Sequence, residues 1–94
     1  MKQTTYPSLV GRHALVSGGA TGIGEALVRA LAQQGCRVSF FDIDTLAGAA
    51  LADELTQAGL SSHFSEVDLT QVPLLQTAIQ ERIVQWGAIR ILVN

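Results

Sequence analysis

A glycine-rich stretch at residues 17–24 constrains the fold of this chain more than any other feature. It reads Ser-Gly-Gly-Ala-Thr-Gly-Ile-Gly, follows an apolar run at 13–16 and opens a helical pattern that ends near residue 34. A strand, a glycine-rich turn and a helix in this order can seat a phosphate on the helix N-terminus. The first amides of a helix have no partner there, and the helix dipole is positive. The stretch therefore predicts a phosphate-binding turn.

The spacing of the glycines suggests a separate task for each. Gly18 can supply the tight exit from the strand, Gly22 lets the backbone approach a ligand, and Gly24 lets the helix pack against the strand. The pattern is G-x-x-x-G-x-G, and no Lys-Ser or Lys-Thr pair follows it, which argues against a P-loop. A connector that binds no ligand remains the alternative on this stretch alone.

The rest of the chain alternates strands and helices. Apolar runs and turn residues predict four strands, at 13–17, 37–42, 63–67 and 89–93. They also predict three helices, at 22–34, 45–58 and 73–86. Asp44 is predicted to be the N-cap of the second helix. Residues 1–8 are expected to form a frayed leader, and residues 9–12 a turn.

This alternation predicts an α/β fold, a Rossmann-type doubly wound parallel sheet of the form β-α-β-α-β-α-β. Right-handed crossovers give the strand order 3-2-1-4, with a ligand crevice between the first and fourth strands. Helical spacing predicts one buried face for each helix. These faces are Ile23, Leu27, Ala30 and Leu31 in the first helix, Leu46, Ala50, Leu51, Leu55 and Ala58 in the second, and Leu75, Ile79, Ile83 and Trp86 in the third.

Composition narrows the class of protein. The chain has 94 residues, 48% of them hydrophobic, and a net charge of −2, as expected for a single soluble domain. Six scattered basic residues provide no nucleic-acid-binding stripe, and no apolar run is long enough for a membrane span or a signal peptide. One cysteine, Cys36, fits a reducing cytoplasm. His13 and His63 have no neighbouring ligands in sequence, so no metal site is expected.

The glycine stretch resembles the cofactor loop of the short-chain dehydrogenase/reductase family, T-G-x-x-x-G-I-G, with Ser17 in place of the threonine. The resemblance extends to an acid that ends strand two (Asp42), an Asp-Leu pair after strand three (Asp68 and Leu69), and Ile-Leu-Val-Asn at residues 91–94. It implies an NAD-dependent oxidoreductase that transfers hydride between nicotinamide and an alcohol or carbonyl substrate.

The same resemblance assigns roles to individual residues. An acid placed like Asp42 accepts hydrogen bonds from the adenosine ribose, Asp68 and Leu69 contact adenine, and Asn94 begins an Asn-Asn-Ala-Gly element beside the cofactor. Because Thr21 and Ile43 carry no positive charge that could hold a 2′-phosphate, NAD is expected over NADP. The full set of expected cofactor-binding residues is Gly18, Thr21, Gly22, Ile23, Gly24, Asp42, Ile43, Asp68, Leu69 and Asn94.

The catalytic residues of that family have no counterpart in this sequence. Its Tyr-x-x-x-Lys motif is absent, because the one tyrosine is Tyr6 and the one lysine is Lys2. Residues 1–94 are therefore expected to form the N-terminal dinucleotide-binding half, with the catalytic half absent, whether the chain is cut or a natural short form. The apolar fourth strand would then be covered by the missing half or by a partner. The full-length enzyme is expected to be a homo-oligomer.

Two other functions stay open at this point. The chain could be a non-catalytic NAD(P)-binding module or sensor, which the sequence downstream of Asn94 would distinguish from an enzyme. A weaker alternative is another Rossmann-type enzyme, such as a methyltransferase that uses S-adenosylmethionine. The Gly22-Ile23-Gly24 ending argues against the methyltransferase.

Overall fold

A computed structural model describes residues 6–94 and contains one parallel sheet with helices on both faces. The elements run in this order: a 3₁₀ turn (Pro7–Leu9), β1 (His13–Ser17), α1 (Gly22–Gln33), β2 (Arg37–Asp42), α2 (Thr45–Gln57), β3 (Ser62–Glu66), α3 (Val72–Trp86) and β4 (Ile89–Val93). The strand order is β3-β2-β1-β4, and all three pairings are parallel. The predicted fold class and strand order are confirmed.

The element boundaries differ from the prediction by one residue at most, except at the N-terminus. β3 begins and ends one residue earlier than predicted, and α3 begins one residue before Pro73. Part of the predicted leader, residues 1–5, lies outside the described residues. Residues 6–8 are not frayed, because Pro7–Leu9 form a 3₁₀ turn and the Tyr6 amide donates to Gln34 Oε1 at 2.9 Å.

Each face of the sheet has its own apolar core. Ala14, Val16, Val38 and Phe40 point toward α1 and α2, while Leu15 and Phe41 point toward α3. Strand residues alternate between the two faces, so both faces of a doubly covered strand are apolar. Among residues 6–94, no helix is long and apolar enough to cross a membrane.

The buried face of α1 differs from the predicted one. Val28 and Ala32 are fully buried. Of the predicted residues, Leu31 is half-buried against the core, whereas Ile23 is 82% exposed and Ala30 is also exposed. The fully buried positions are therefore offset by one residue from the predicted face, and Ile23, in the first turn, belongs to neither apolar cluster.

The face of α2 was predicted in part. Leu51 and Leu55 are buried as expected, but Leu46 is 87% exposed, and Ala50 and Ala58 are exposed too. The contact with β3 is made at Gly48, where an added Cβ would lie 2.2 Å from the Phe64 ring. A glycine contributes no apolar signal to a periodicity, so the pattern missed this close approach.

A buried polar layer, which we define as His13, Ser39, Arg82 and Trp86, lies between the sheet and the C-terminal half of α3. His13 Nδ1 lies 2.9 Å from the Gly87 carbonyl, so it carries the proton and donates there. His13 Nε2 then accepts from Ser39 Oγ at 2.7 Å, and Ser39 Oγ accepts from Arg82 Nε at 2.9 Å. The guanidinium lies 4.3 Å above the Trp86 ring. This chain of bonds requires a neutral His13.

Both histidines near this layer are disfavoured as cations. Burial lowers the pKa of His13, and the charges of Arg82 and Arg37 lower it further, against the opposing bond to Gly87. Burial and Arg82 likewise lower the pKa of His63, whose ring meets Trp86 edge-on. Within the described residues, Arg82 forms no ion pair with a carboxylate that could offset these charges.

These two histidines make the free energy of unfolding depend on pH. Both histidine pKa values lie below 6.5 in the folded state, so the unfolded chain takes up protons first as the pH falls. We predict that the midpoint temperature of thermal unfolding decreases as the pH is lowered from about 7.5 to about 5.5. Carboxylates do not yet titrate in this range. Replacing His63 with Phe, which keeps a ring against Trp86, should flatten this dependence. A midpoint that is constant over this range would contradict the prediction.

Candidate functional site

The residues predicted to bind a cofactor lie along one edge of the sheet. All strands are parallel, so the turn at 18–21, the end of β2 at Asp42, the β3–α3 connection at Asp68 and the end of β4 at Asn94 meet at the carboxyl edge. Within residues 6–94, no group of three or more potential ligands could hold a metal ion.

The glycine-rich turn is fixed by backbone contacts at both of its ends. The amides of Gly18 and Gly19 donate to the Phe41 carbonyl at 2.7 and 3.2 Å, which ties the turn to the end of β2. Gly18 has φ +72°, the left-handed conformation that a tight exit from β1 requires. An added Cβ on Gly24 would lie 1.9 Å from the Gly18 carbonyl oxygen. α1 therefore packs closely on the turn at Gly18, immediately after β1, whereas the sequence predicted packing on the strand itself.

Within residues 6–94, the first amides of α1 have no hydrogen-bond partner and face open space. Its first helical hydrogen bond joins the Glu25 amide to the Thr21 carbonyl at 3.2 Å, so the amides at positions 22–24 precede the helical ladder. Thr21 makes no side-chain cap bond. Gly22 has φ +61°, and no atom lies within 4 Å of the place where its Cβ would be. A ligand can approach this backbone directly.

The N-terminus of α2 shows what a capped helix looks like in the same molecule. Asp44 Oδ1 accepts from the Ala47 amide at 3.0 Å and supplies a negative charge at that end. In α1 the first-turn acid, Glu25, is bound instead to Arg29, with 2.9 Å between Oε2 and Nε. Arg29 also pairs with Glu54 of α2. The positive end of α1 therefore keeps its capacity to bind an anion.

The carboxylate of Asp42 lies against the turn. Its Oδ2 atom accepts from the Ala20 amide at 3.1 Å, and Oδ1 accepts from the Asp44 amide at 3.0 Å. Each oxygen keeps a second lone pair that can accept from a ligand hydroxyl. The next residue, Ile43, is 64% exposed and offers an apolar surface at the same edge.

Asp68 follows β3 and completes a turn at the start of α3. Its Oδ1 atom accepts from the Thr70 amide at 3.0 Å and from the Thr70 hydroxyl at 2.6 Å, and these bonds hold the pKa of the carboxyl below its usual range. Oδ1 thus has a structural role in this turn, and within residues 6–94 Oδ2 accepts no hydrogen bond. The contact with adenine stays a prediction. Leu69 beside it is 38% exposed.

A cavity of about 330 Å³ lies at the junction of β1 and β4. Ser17 and Asn94 line its polar end, and Leu69 and Leu92 line its apolar wall. Ser17 Oγ lies 3.2 Å from the Val93 carbonyl and 3.4 Å from Asn94 Oδ1, so the hydroxyl joins the ends of the two strands. This is the position where the strand order reverses, as predicted for the crevice. A larger groove along α2 and β3, about 620 Å³, contains none of the predicted residues.

Sequence reasoning missed two features of the turn. An added Cβ on Gly19 would lie 2.7 Å from Phe40 Cβ, so the second glycine of the Ser-Gly-Gly run packs on β2. The bond between Asp42 and Ala20 was also unforeseen. Two adjacent glycines after a strand were the available signal for the packing of Gly19 on β2. Nothing in the sequence indicates the bond between Asp42 and Ala20.

Comparison with known proteins agrees with this geometry. The short chain dehydrogenase family model matches residues 12–94. The chain is 40% identical to the "Probable galactose dehydrogenase" of Rhizobium meliloti, covering 100% of this chain and 37% of that protein. It is also 40% identical to the 3-alpha-(or 20-beta)-hydroxysteroid dehydrogenase of Mycobacterium bovis, covering 92% and 32%. The chain thus spans about a third of the length of the curated relatives it matches.

Solved structures share the same arrangement. A mutant of a Serratia marcescens short-chain dehydrogenase/reductase superposes with a TM-score of 0.87 at 34% identity, covering 92% of this chain and 36% of that one. A blue fluorescent protein from a metagenomic library, solved in complex with NADPH, superposes with a TM-score of 0.83 at 32% identity. That match covers 89% of this chain and 35% of the other.

The contact at Gly24 yields a stability prediction. In an open helical position, Gly→Ala stabilises by about 1 kcal/mol. At Gly24 the new Cβ would collide with the Gly18 carbonyl, so we predict that Gly24→Ala lowers the free energy of unfolding by about 3 kcal/mol, at the upper end for overpacking. Denaturant unfolding monitored by circular dichroism measures the change. A stabilised variant would mean that α1 does not pack on the turn in this way.

Proposed function

The chain belongs to the short-chain dehydrogenase family, and on that basis we propose that it is the N-terminal, NAD-binding half of an oxidoreductase. The whole protein would transfer hydride between nicotinamide and an alcohol or carbonyl substrate. The observation that carries this proposal is the uncapped N-terminus of α1, open at Gly22, beside the Asp42 carboxylate on the same edge of the sheet.

Each predicted residue has a task in this proposal. The amides at positions 22–24 bind the cofactor pyrophosphate, because they are unpaired and lie at the positive end of α1. Asp42 accepts from the hydroxyls of the adenosine ribose. Ile43 and Leu69 present apolar surface to adenine, and Asp68 accepts from its amino group. The nicotinamide, when bound, carries the hydride.

The catalytic groups belong to the part of the protein beyond this chain. General acid–base chemistry requires a titratable group within hydrogen-bond reach of the reacting oxygen. Both ring nitrogens of His13 are hydrogen-bonded within the polar layer, and the His63 ring lies edge-on against Trp86. In the proposed whole protein, the second half also covers β4, where Leu92 is 63% exposed and lines the crevice.

We propose that the protein prefers NAD over NADP because of the carboxylate of Asp42. The metagenomic blue fluorescent protein binds NADPH, so membership of this structural class leaves the cofactor open. A 2′-phosphate would bring like charge against the Asp42 carboxylate and lose its hydrogen bond with the ribose hydroxyl. Neither Thr21 nor Ile43 offers a compensating positive charge.

The proposal also includes a cellular location and an oligomeric state for the whole protein. Cys36 is buried, with Sγ 3.4 Å from the Leu9 carbonyl, and burial raises the pKa of its thiol. A buried lone thiol is compatible with the proposed cytoplasmic location. The homo-oligomer expected for the full-length protein stays a prediction. A methyltransferase is excluded by the family, which leaves a non-catalytic NAD(P)-binding module as the alternative.

Gly22→Asn tests the phosphate site. Asn tolerates positive φ better than most residues, so the fold should survive, but its side chain would occupy the space in front of the α1 amides. We predict at least about a tenfold loss of NAD affinity, the equivalent of one charge-assisted hydrogen bond, by calorimetric titration.

Gly59→Asn is the matched control for this variant. Gly59 also has positive φ, at +79°, and also has no atom within 4 Å of an added Cβ, but it lies at the far end of α2. Both variants should lose similar thermal stability, and only the first should lose affinity. Equal affinity of both variants for NAD would argue against pyrophosphate binding at Gly22.

Cofactor choice gives a further prediction. Wild type should bind NAD about ten- to a hundredfold more tightly than NADP, the value of one charge-assisted hydrogen bond. Asp42→Ala should bring the two dissociation constants closer together. Wild-type protein that bound both cofactors equally well would remove the role assigned to Asp42.

The isolated 94-residue chain should bind NAD weakly and show no turnover. The test is to assay NADH absorbance across a panel of secondary alcohols after purification to homogeneity. Extending the chain to its full reading frame should restore turnover if the protein is an enzyme, whereas a binding module would stay inactive. Reproducible turnover by residues 1–94 alone would reveal an acid–base group that the proposal does not contain.

A further inference from the structure

Among residues 6–94, Asp42 is the one side chain that accepts a hydrogen bond from the amides at positions 18–20. The amides of Gly18 and Gly19 donate to the Phe41 carbonyl, and these bonds need only backbone. The following amide, at Ala20, donates to Asp42 Oδ2 at 3.1 Å. The position of Ala20 therefore depends on which residue ends β2.

The bond between Ala20 and Asp42 lies inside the structure. Ala20 is 2% exposed, and Asp42 is partly buried beside it. A buried amide that loses its acceptor cannot turn to solvent without moving the backbone. Thr21, the N-cap of α1, follows Ala20 directly, so such a movement would displace the unpaired amides at positions 22–24.

We propose that Asp42 is a positioning residue for the pyrophosphate site, in addition to its role at the ribose. Its carboxylate fixes Ala20, and Ala20 sets where the first amides of α1 point. This inference rests on the proposed function, because it takes those amides as the pyrophosphate site. Recognition of the ribose and binding of the phosphates then both depend on the Asp42 side chain. A substitution of Asp42 that allows NADP to bind should therefore also weaken the phosphate contacts of both cofactors.

Removing Asp42 changes phosphate binding in opposite directions depending on whether the residue positions the amides or only repels the phosphate by its charge. A carboxylate near a pyrophosphate repels it, so removing Asp42 should strengthen phosphate binding if charge alone matters. A positioning role predicts the opposite result, namely weaker binding. The probe must lack the ribose hydroxyls, so that the lost ribose contact does not contribute. We choose 2′,3′-dideoxy-ADP for this purpose.

The experiment compares Asp42→Ala with Asp44→Ala in the full chain. Asp44→Ala removes the N-cap of α2 but keeps the backbone amide that donates to Asp42, so it lowers stability without touching the turn. We expect Asp42→Ala to bind 2′,3′-dideoxy-ADP about fivefold more weakly than wild type, as for one neutral hydrogen bond, and Asp44→Ala to bind it as wild type does. Unchanged or tighter binding by Asp42→Ala, or equal weakening in both variants, would overturn the proposal.

Amide hydrogen exchange of the ligand-free protein tests the positioning role without any nucleotide. The Ala20 amide should exchange about tenfold faster in Asp42→Ala, while the Gly18 amide keeps its wild-type rate. In wild type itself, Ala20 should exchange more slowly than Gly22, which keeps the test decisive if the variant does not fold. Equal rates in these comparisons would contradict the proposal. If wild type fails to bind ADP, the proposed function fails, and the exchange rates still decide whether Asp42 holds the turn.

Discussion

The approach of Gly24 to the Gly18 carbonyl is the constraint on which the candidate site depends. A Cβ at Gly24 would lie 1.9 Å from that oxygen, so α1 can start where it does only if this position carries no side chain. The contact directs the N-terminus of α1 toward the carboxyl edge of the sheet, beside the ends of β2 and β4. The unpaired amides and the Asp42 carboxylate meet at that edge because of this packing.

The two ends of the sheet serve different purposes. At the carboxyl edge, backbone amides of α1 are left without partners, and Gly22 leaves the space before them open. Toward the amino end, the buried side chains of His13, Ser39 and Arg82 are joined by hydrogen bonds beside Trp86, and Arg82 Nη2 has no partner within residues 6–94. The unpaired amides of α1 and the buried polar layer therefore lie at opposite ends of the strands.

The strength of the periodic signal explains what the sequence could predict. β1, β2 and β4 were predicted to the residue, because each is a short apolar run between turn residues. The tight turn at Gly18 and the close approach at Gly24 also followed from the glycine spacing. The predicted face of α1 was wrong at Ile23, which has the hydrophobicity of a core residue but is 82% exposed. The buried Arg82 and the bond from Ala20 to Asp42 depend on tertiary neighbours that no local pattern contains.

In the proposed function, the carboxyl edge formed by the glycine turn and Asp42 holds the adenosine diphosphate part of the cofactor. A titration of ¹⁵N-labelled protein with ADP, followed by amide chemical shifts, is a direct test of this binding mode. We expect the largest shifts at Gly22, Ile23 and Gly24, with a second group at Asp42 and Ile43. Shifts concentrated instead along the groove of α2 and β3, at Ala52 and His63, would contradict it.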